Sequence, residues 1–315
     1  MMTRSLNSSA SFSFAAKVKD YLQLIKFTLS FTVVFSCVIC YLLAPNIIGF
    51  DLKMILILFA AGLLVTGSAN AINQAVEKDT DALMKRTGKR PVADGRMSVS
   101  EAYTFALIAG IVGVWMMYQF FNLSAALLSA FSLFLYAYIY TPLKKVSSVS
   151  VLVGAFPGAI PCLIGWVAAT NVLSPFAIVE GTSISNGAGW ALFGIQFLWQ
   201  FPHFWAIAWV AHGDYAKAGF KLLPGGKPPT KITALQSIAY AVMMIPVGML
   251  PYYFGLTGMM SLWIVTMANI FIVIQCVRLY ISMDVKAARR VMFSSYIYLP
   301  VVFLALLADK IPVSF

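Results

Sequence analysis

Nine stretches of about twenty mostly apolar residues dominate the sequence and determine what it can fold into. Apolar residues make up 61% of the 315-residue chain, and charged residues only 10%. A water-soluble protein of this length needs a more polar surface, so we expect one membrane-embedded, all-α unit with a central cavity. The expected spans are roughly 27–44, 54–76, 101–120, 122–140, 149–170, 187–210, 234–253, 257–277 and 291–308.

The lysines and arginines are distributed unequally between the two ends of the expected spans. Of the 22 bases, only Lys53 and Lys310 fall on the side opposite the N-terminus. Because basic loops stay in the cytoplasm, we expect a cytoplasmic N-terminus and an external C-terminus. Residues 1–20 would form a cytoplasmic tail, and residues 21–315 a single transmembrane domain. The net charge of +11 suits contact with anionic lipid, and nucleic-acid binding is not expected because no soluble basic domain is present.

One face of the second span carries polar side chains where the span meets the cytoplasm. On a helical wheel, Asn73, Glu77 and Asp81 fall within about 80° of one another, and Asn70 continues the same face into the apolar part. Carboxylate and amide oxygens are hard ligands that suit Mg²⁺. We therefore predict a metal site on this face.

A basic segment follows these ligands directly. The stretch "KRTGKRP" contains Lys85, Arg86 and Arg90, which can bind phosphate oxygens. The alternative is a solvated helix end with ordinary pairs such as Asp81 with Lys85. Asn70 and Asn73 continue the polar face into the apolar part of the helix, where a solvated helix end would have no polar residues. We therefore prefer a diphosphate site where this helix meets the membrane surface.

A second polar stripe is predicted on the sixth span. If that helix is continuous, Gln196, Gln200, His203 and Asp214 share one face. The stripe would extend over about 27 Å, which is costly in lipid unless it borders a cavity. A lone histidine of this kind often bonds only a neighbouring helix, so contact of His203 with a substrate is one of two interpretations.

The other cytoplasmic loops supply further bases. Lys217 and Lys221 follow Asp214, and Lys144 and Lys145 lie between the fourth and fifth spans. All of them are on the side predicted to hold the diphosphate. We therefore count them, with Asp214, as candidate phosphate or metal contacts.

Several motifs resemble the UbiA-type intramembrane prenyltransferase superfamily, and within it the haem O synthase branch. The superfamily pattern of Asn, then Asp four and eight residues later, is matched by Asn73, Glu77 and Asp81, with Glu in the middle place as expected of that branch. The resemblance extends along most of the chain through four further stretches, "RTGKRP", "YTPLKK", "WQFPHF" and "DYAKAGFKLLP". Lys26, Phe27 and Thr28 stand where the branch commonly has Lys-Pro-Arg.

The resemblance implies both substrates and a cofactor. Farnesyl diphosphate would bind between the second and sixth spans, with Mg²⁺ on Asn73, Glu77, Asp81 and Asp214. Protohaem IX, a substrate and not a prosthetic group, would lie deeper and receive the farnesyl group on a vinyl carbon to give haem O. We expect the inner membrane of a bacterium, with an organellar membrane as the alternative, and a later haem A synthase or terminal oxidase assembly that uses the product.

Two other functions remain open on the sequence. A sister enzyme would prenylate an aromatic acid or a quinone precursor. A transporter of haem or another small molecule would line its path with the polar stripe. The acids cluster with bases at one surface of the membrane, and this argues against the transporter. The sequence does not indicate an oligomeric state.

Overall fold

The computed structural model describes residues 13–226 and 228–312, and each predicted apolar run lies in a helix. The all-α prediction is therefore confirmed. A π-helical turn over 135–140 joins α6 to α7. The helices are α1 Phe14–Leu24, α2 Phe27–Leu43, α3 Leu52–Val76, α4 Lys78–Ala82, α5 Val99–Phe120, α6 Leu123–Phe134, α7 Thr141–Val146, α8 Ser150–Thr170, α9 Gly187–Val210, α10 His212–Lys217, α11 Lys231–Tyr253, α12 Met259–Ser282 and α13 Val285–Ala308.

Most of these helices can cross a bilayer. By length and hydropathy, seven spans qualify within the described residues, and the bent pair of α1 and α2 makes an eighth. Helix α9 is 24 residues long but contains Gln196, Gln200 and His203, which lower its hydropathy. It packs against α8, α11 and α13, so its polar side chains are covered by protein. The chain is a multi-pass membrane protein, and its helix number agrees roughly with the predicted nine.

The helices form two groups that meet around a cavity. In the first, α3 packs against α5 and α2, and α6 packs against α8. In the second, α9, α11, α12 and α13 pack in neighbouring pairs. Contacts of α8 with α9 and of α2 with α13 join the groups. We call the end of the bundle that carries α1, α4, α7 and α10 the basic face.

On the basic face, α1 is tied to the loop that precedes α5. Lys26 separates α1 from α2 in a left-handed conformation, with φ of 49°, and the two helices meet at 53°. Arg96 of the loop bonds Asp20 on α1, with Nε 3.0 Å from Oδ1. The predicted tail boundary at residue 20 falls inside α1, and residues 1–12 of that tail lie outside the described residues.

The opposite face has a polar cap built on a lysine. Lys310 Nζ donates to the carbonyl oxygens of Leu42, Ala44 and Ile47, each at 2.7 Å. The carbonyls of Leu42 and Ile47 have the ammonium as their donor, that of Ala44 also accepts from the amide of Ile47, and the charge complements the dipole of α2. Burial lowers the pKa of Lys310 to about 8, so it remains largely protonated at neutral pH.

Replacing Lys310 with methionine should lower the stability of the bundle. The substitution keeps the length of the side chain but leaves the carbonyl groups without their donor, at a cost of about 1 to 3 kcal/mol. Thermal unfolding in detergent should show a lower midpoint. Lys53→Met is the control, because exposed Lys53 is the other base predicted on this side. Equal midpoints for the two variants would contradict the capping role.

Candidate active site

Two connected spaces lie between the helix groups. The larger has a volume of about 770 Å³ and opens at the basic face, and the smaller, about 250 Å³, lies deeper among the apolar helices. Both are lined by Tyr136, Tyr140, His203, Phe204 and Tyr296. The site therefore has a charged outer part that continues into an apolar inner part.

Each predicted metal ligand on the second span is paired with a base. Lys144 Nζ lies 2.5 Å from Glu77 Oε1, and Arg90 Nη1 lies 2.7 Å from Asp81 Oδ2. Glu77 and Asp81 are 4% and 1% exposed, so both carboxylates are buried, whereas Arg90 is partly exposed. Buried ions are tolerated only with such compensation.

The third ligand is bonded from the neighbouring helix. Lys26 Nζ donates to Asn73 Oδ1 at 2.7 Å, and Asn73 Nδ2 donates to Thr141 Oγ1 at 3.3 Å. The left-handed backbone at Lys26 is uncommon for a residue other than glycine. Because this residue forms the corner between α1 and α2, its ammonium can reach α3 over the cavity.

The second span breaks within the ligand face. Helix α3 ends at Val76, Glu77 takes a non-helical conformation, and α4 restarts the chain. Asn73, Glu77 and Asp81 nevertheless all line the larger space. The exposed side chain of Asp79 does not.

The chain after α4 folds back over the ligands. Thr87 Oγ1 donates to the carbonyl of Asp81 at 3.0 Å, which closes a short turn. This turn brings Arg90 back to the carboxylate of Asp81. Arg86 stays exposed at the rim, and its Nη2 donates to Tyr215 Oη of α10 at 2.9 Å.

The ligand set fits a hard divalent cation. Asp81 Oδ1 is buried and has no hydrogen-bond partner among the described residues. Burying a carboxylate oxygen without a hydrogen bond costs free energy unless a cation or a water molecule binds it. Within the same residues, no group of three or more His, Cys, Asp or Glu side chains converges, so the amide of Asn73 and a bound phosphate would have to supply further oxygens.

Asp214 does not lie with the other predicted ligands. The sixth span ends at Val210, and the chain restarts as α10, so the continuous helix that the wheel assumed is interrupted at Ala211. Asp214 is half-buried and does not line either space, whereas its neighbour Tyr215 lines the larger one. Burial raises the pKa of the Tyr215 phenol, and the nearby Arg86 opposes this.

The remaining predicted residues divide between the cavity and the surface. Arg86, Arg90 and Lys144 line the larger space. Asn70 and Gln200 line the deeper space, and His203 lines both. The bases with exposed side chains that do not line either space are Lys85, Lys145, Lys217 and Lys221.

The amides that line the deeper space also hold helices together. Asn70 Nδ2 donates to the carbonyl of Ile25 and to Ser30 Oγ, at 3.2 and 3.1 Å, which fixes the corner between α1 and α2. Gln200 Nε2 donates to the carbonyl of Ala155 at 3.0 Å and ties α9 to α8. Both amides therefore have a structural contact besides the predicted substrate contact.

Sequence reasoning missed several residues that line the site. Lys26 could have been noticed as a base next to an apolar run, but its contact with Asn73 spans 47 positions. Tyr136 and Tyr140 are brought to the cavity by the π-helical turn, which no sequence pattern indicated. Ser295, which contacts His203, is one of two adjacent serines in a mostly apolar part of α13, and no pattern in the sequence distinguishes it.

Comparisons with known proteins show the family of the chain. The sequence profile of the UbiA prenyltransferase family matches residues 33–299, so the chain belongs to this family of membrane prenyltransferases. It is 42% identical over 300 residues to the protoheme IX farnesyltransferase of Cytophaga hutchinsonii. The aligned region covers 94% of this chain and 99% of that relative.

Solved structures share the fold. The chain superposes on a structure of digeranylgeranylglyceryl phosphate synthase with a TM-score of 0.73 and 22% identity, over 93% of this chain and 98% of the other. It also matches a UbiA homologue from Archaeoglobus fulgidus bound to GPP and Mg²⁺, with a TM-score of 0.60 and 14% identity, over 91% and 99%. At these identities the likeness is one of fold.

Removing the base of one buried pair should destabilise the protein strongly. Lys144→Met leaves the Glu77 carboxylate buried without a counter-charge, which costs about 3 to 5 kcal/mol. The double variant with Glu77→Gln should recover most of this loss. The partly exposed pair Lys17 and Glu101, 2.7 Å apart, is the control, since Lys17→Met should cost less than about 1 kcal/mol. Thermal unfolding in detergent measures all three, and equal losses for the two lysine variants would contradict the account.

Proposed function

We propose that this protein transfers the farnesyl group of farnesyl diphosphate to a vinyl group of protohaem IX, which yields haem O and diphosphate. The observation that carries the proposal is the buried cluster of acid–base pairs at the mouth of an apolar cavity. The relative of 42% identity, which is named for this activity, supports the choice of substrates.

The charged outer space would hold the diphosphate. Lys26, Lys144 and Arg90 line it and would move from their present partners onto phosphate oxygens, with Arg86 at the rim. Asn73, Glu77 and Asp81 would hold Mg²⁺, which neutralises charge on the leaving diphosphate when bound. The homologue described with GPP and Mg²⁺ supports this cofactor. Asp214 remains a prediction of the sequence.

The inner space suits an allylic chain and its cation. Its walls are apolar apart from amides, hydroxyls and the imidazole of His203, so water is largely excluded from the farnesyl chain. Tyr136, Tyr140 and Tyr296 stand where the charged and apolar parts meet. Their ring faces would stabilise positive charge that develops as the carbon–oxygen bond breaks.

The transfer has a simple balance of atoms. The bond between farnesyl C1 and diphosphate breaks, and C1 bonds the terminal vinyl carbon. The positive charge then lies on the other vinyl carbon, where the oxygen of a water molecule adds and one proton leaves. Gln200 and His203 line the deeper space and would contact the haem there.

The membrane setting of the reaction follows from the distribution of bases. The N-terminus and the basic face would lie in the cytoplasm of a bacterial inner membrane, where farnesyl diphosphate is available at the membrane surface. Lys85, Lys145, Lys217 and Lys221 would attract the diphosphate and anionic lipid from outside the cavity. The product would pass to a haem A synthase or to assembly of a terminal oxidase.

Product analysis tests the choice of substrates. Purified protein given farnesyl diphosphate and protohaem IX should produce a haem whose mass has increased by one farnesyl group and one hydroxyl group. 4-Hydroxybenzoate and a naphthoate are the rival acceptors. Prenylation of either acid with unmodified haem would refute the proposed acceptor, and haem uptake into vesicles without any product would favour the transporter.

Neutral replacements of the carboxylates test the metal site. Glu77→Gln and Asp81→Asn should each reduce transfer at least about 100-fold, because the stabilisation of the leaving group is lost. Asp79→Asn should retain activity, because exposed Asp79 does not line the cavity. The fold of each variant is checked by its thermal midpoint. Retained activity in both cavity variants would overturn the assignment.

A further inference from the structure

The hydrogen bonds around His203 fix which ring nitrogen carries the proton. Ser295 Oγ lies 2.6 Å from the carbonyl oxygen of Met292 and 2.7 Å from His203 Nδ1. A carbonyl can only accept, so the one hydroxyl proton of Ser295 goes to Met292. His203 Nδ1 must then be the donor to Ser295, and in the neutral ring Nε2 carries no proton.

The unprotonated nitrogen belongs to a side chain that lines the cavity. Among the described residues, His203 Nε2 has no hydrogen-bond partner and is not one of the fully buried unpaired atoms. The ring is held in place on its other sides, since it stacks on Trp199 with centroids 4.5 Å apart and meets Tyr296 edge to face. The ring therefore offers one fixed lone pair to a bound molecule.

Prenyl transfer to any unsaturated acceptor releases one proton. When the allylic cation adds to a double bond or an aromatic ring, the charge passes to the acceptor. It is removed either by addition of water, which then loses a proton, or by loss of a proton from the acceptor carbon. A base close to the acceptor would therefore speed the step.

The deeper space offers few candidates for this base. Its lining contains hydroxyl, amide and phenol groups but no Asp, Glu, Lys or Arg. Of the side chains that line it, only the imidazole of His203 ordinarily titrates near neutral pH. The other titratable or charged groups facing the two spaces are Lys19, Lys26, Glu77, Asp81, Arg86, Arg90, Tyr136, Tyr140, Lys144, Tyr215 and Tyr296.

We propose that His203 is the general base that accepts, at Nε2, the proton released by prenyl transfer, and that Ser295 is a positioning residue that sets its tautomer. The step rests on the proposed prenyl transfer but not on haem as the acceptor. In the haem reaction, the water oxygen bonds the vinyl carbon while one of its protons passes to Nε2. The ring becomes an imidazolium that still donates from Nδ1 to Ser295.

Nitrogen NMR tests the tautomer without any need for activity. The chain has only 2 histidines, so ¹⁵N-histidine labelling of the His212→Gln variant leaves His203 as the single signal. We expect the neutral ring with the proton on Nδ1 in this variant, and a shift of the proton towards Nε2 when Ser295→Ala is added. A neutral ring with its proton on Nε2 while Ser295 is present would overturn the proposal.

Kinetics test the base. His203→Gln should slow product formation about 100-fold while it retains binding of farnesyl diphosphate. The diphosphate that is released should then exceed the prenyl groups transferred, because the cation is lost to water. Added imidazole should restore transfer in His203→Gly, with a pH dependence that follows the added base. Ser295→Ala should shift the pH profile of transfer, which a purely structural contact would not do.

The outcomes separate this proposal from the proposed function. If the wild type transfers no prenyl group to any acceptor, the proposed function fails. If the wild type is active and His203→Gln transfers at the same rate, only the base assignment fails. A large loss in His203→Gly that imidazole does not restore would also refute it, provided that the thermal midpoint is unchanged.

Discussion

The structure depends on the pairing of charges that a membrane protein would otherwise not bury. Glu77 and Asp81 are almost fully enclosed, and each is held by a single base. Removing such ions from water costs several kcal/mol of solvation free energy. Their mutual attraction offsets this cost only when the charged groups are close together and hydrogen-bonded. Residues arranged at this cost are better explained by a ligand than by stability, because apolar side chains of the same volume would pack as well.

Three backbone irregularities of the bundle lie at this cluster. The left-handed residue Lys26 turns its ammonium to α3, and the break at Glu77 redirects the chain so that α4 and the following turn cover the site. The π-helical turn brings Tyr136 and Tyr140 to the wall of the cavity. Such features cost free energy in a regular helix and recur at functional sites.

The sequence predicts the helices and most of the ligand face because both depend on local patterns. Apolar runs give the spans, and the four-residue spacing of Asn73, Glu77 and Asp81 keeps them on one side even though the helix breaks. The sixth span shows the limit of the same reasoning, since a break at Ala211 separates Asp214 from His203.

Contacts between distant parts of the chain could not be predicted. The bond from Lys26 to Asn73 and the bond between His203 and Ser295 join different helices. Lys310 was recognised only as a base on the outer side, yet it caps α2 across 268 positions. These contacts are set by packing between helices, and a single sequence carries no signal for it.

The charges of the cluster make its two ligands depend on each other. The larger space is lined by five bases, Lys19, Lys26, Arg86, Arg90 and Lys144, and by the acids Glu77 and Asp81, which leaves three excess positive charges. Mg²⁺ alone would add to this excess, whereas a bound diphosphate would offset both the excess and the charge of the cation. Calorimetric titration of Mg²⁺ and of an unreactive thiodiphosphate analogue of farnesyl diphosphate measures this directly. Each ligand should raise the affinity of the other by the same factor, about 10-fold or more. Independent binding of the two would contradict the account.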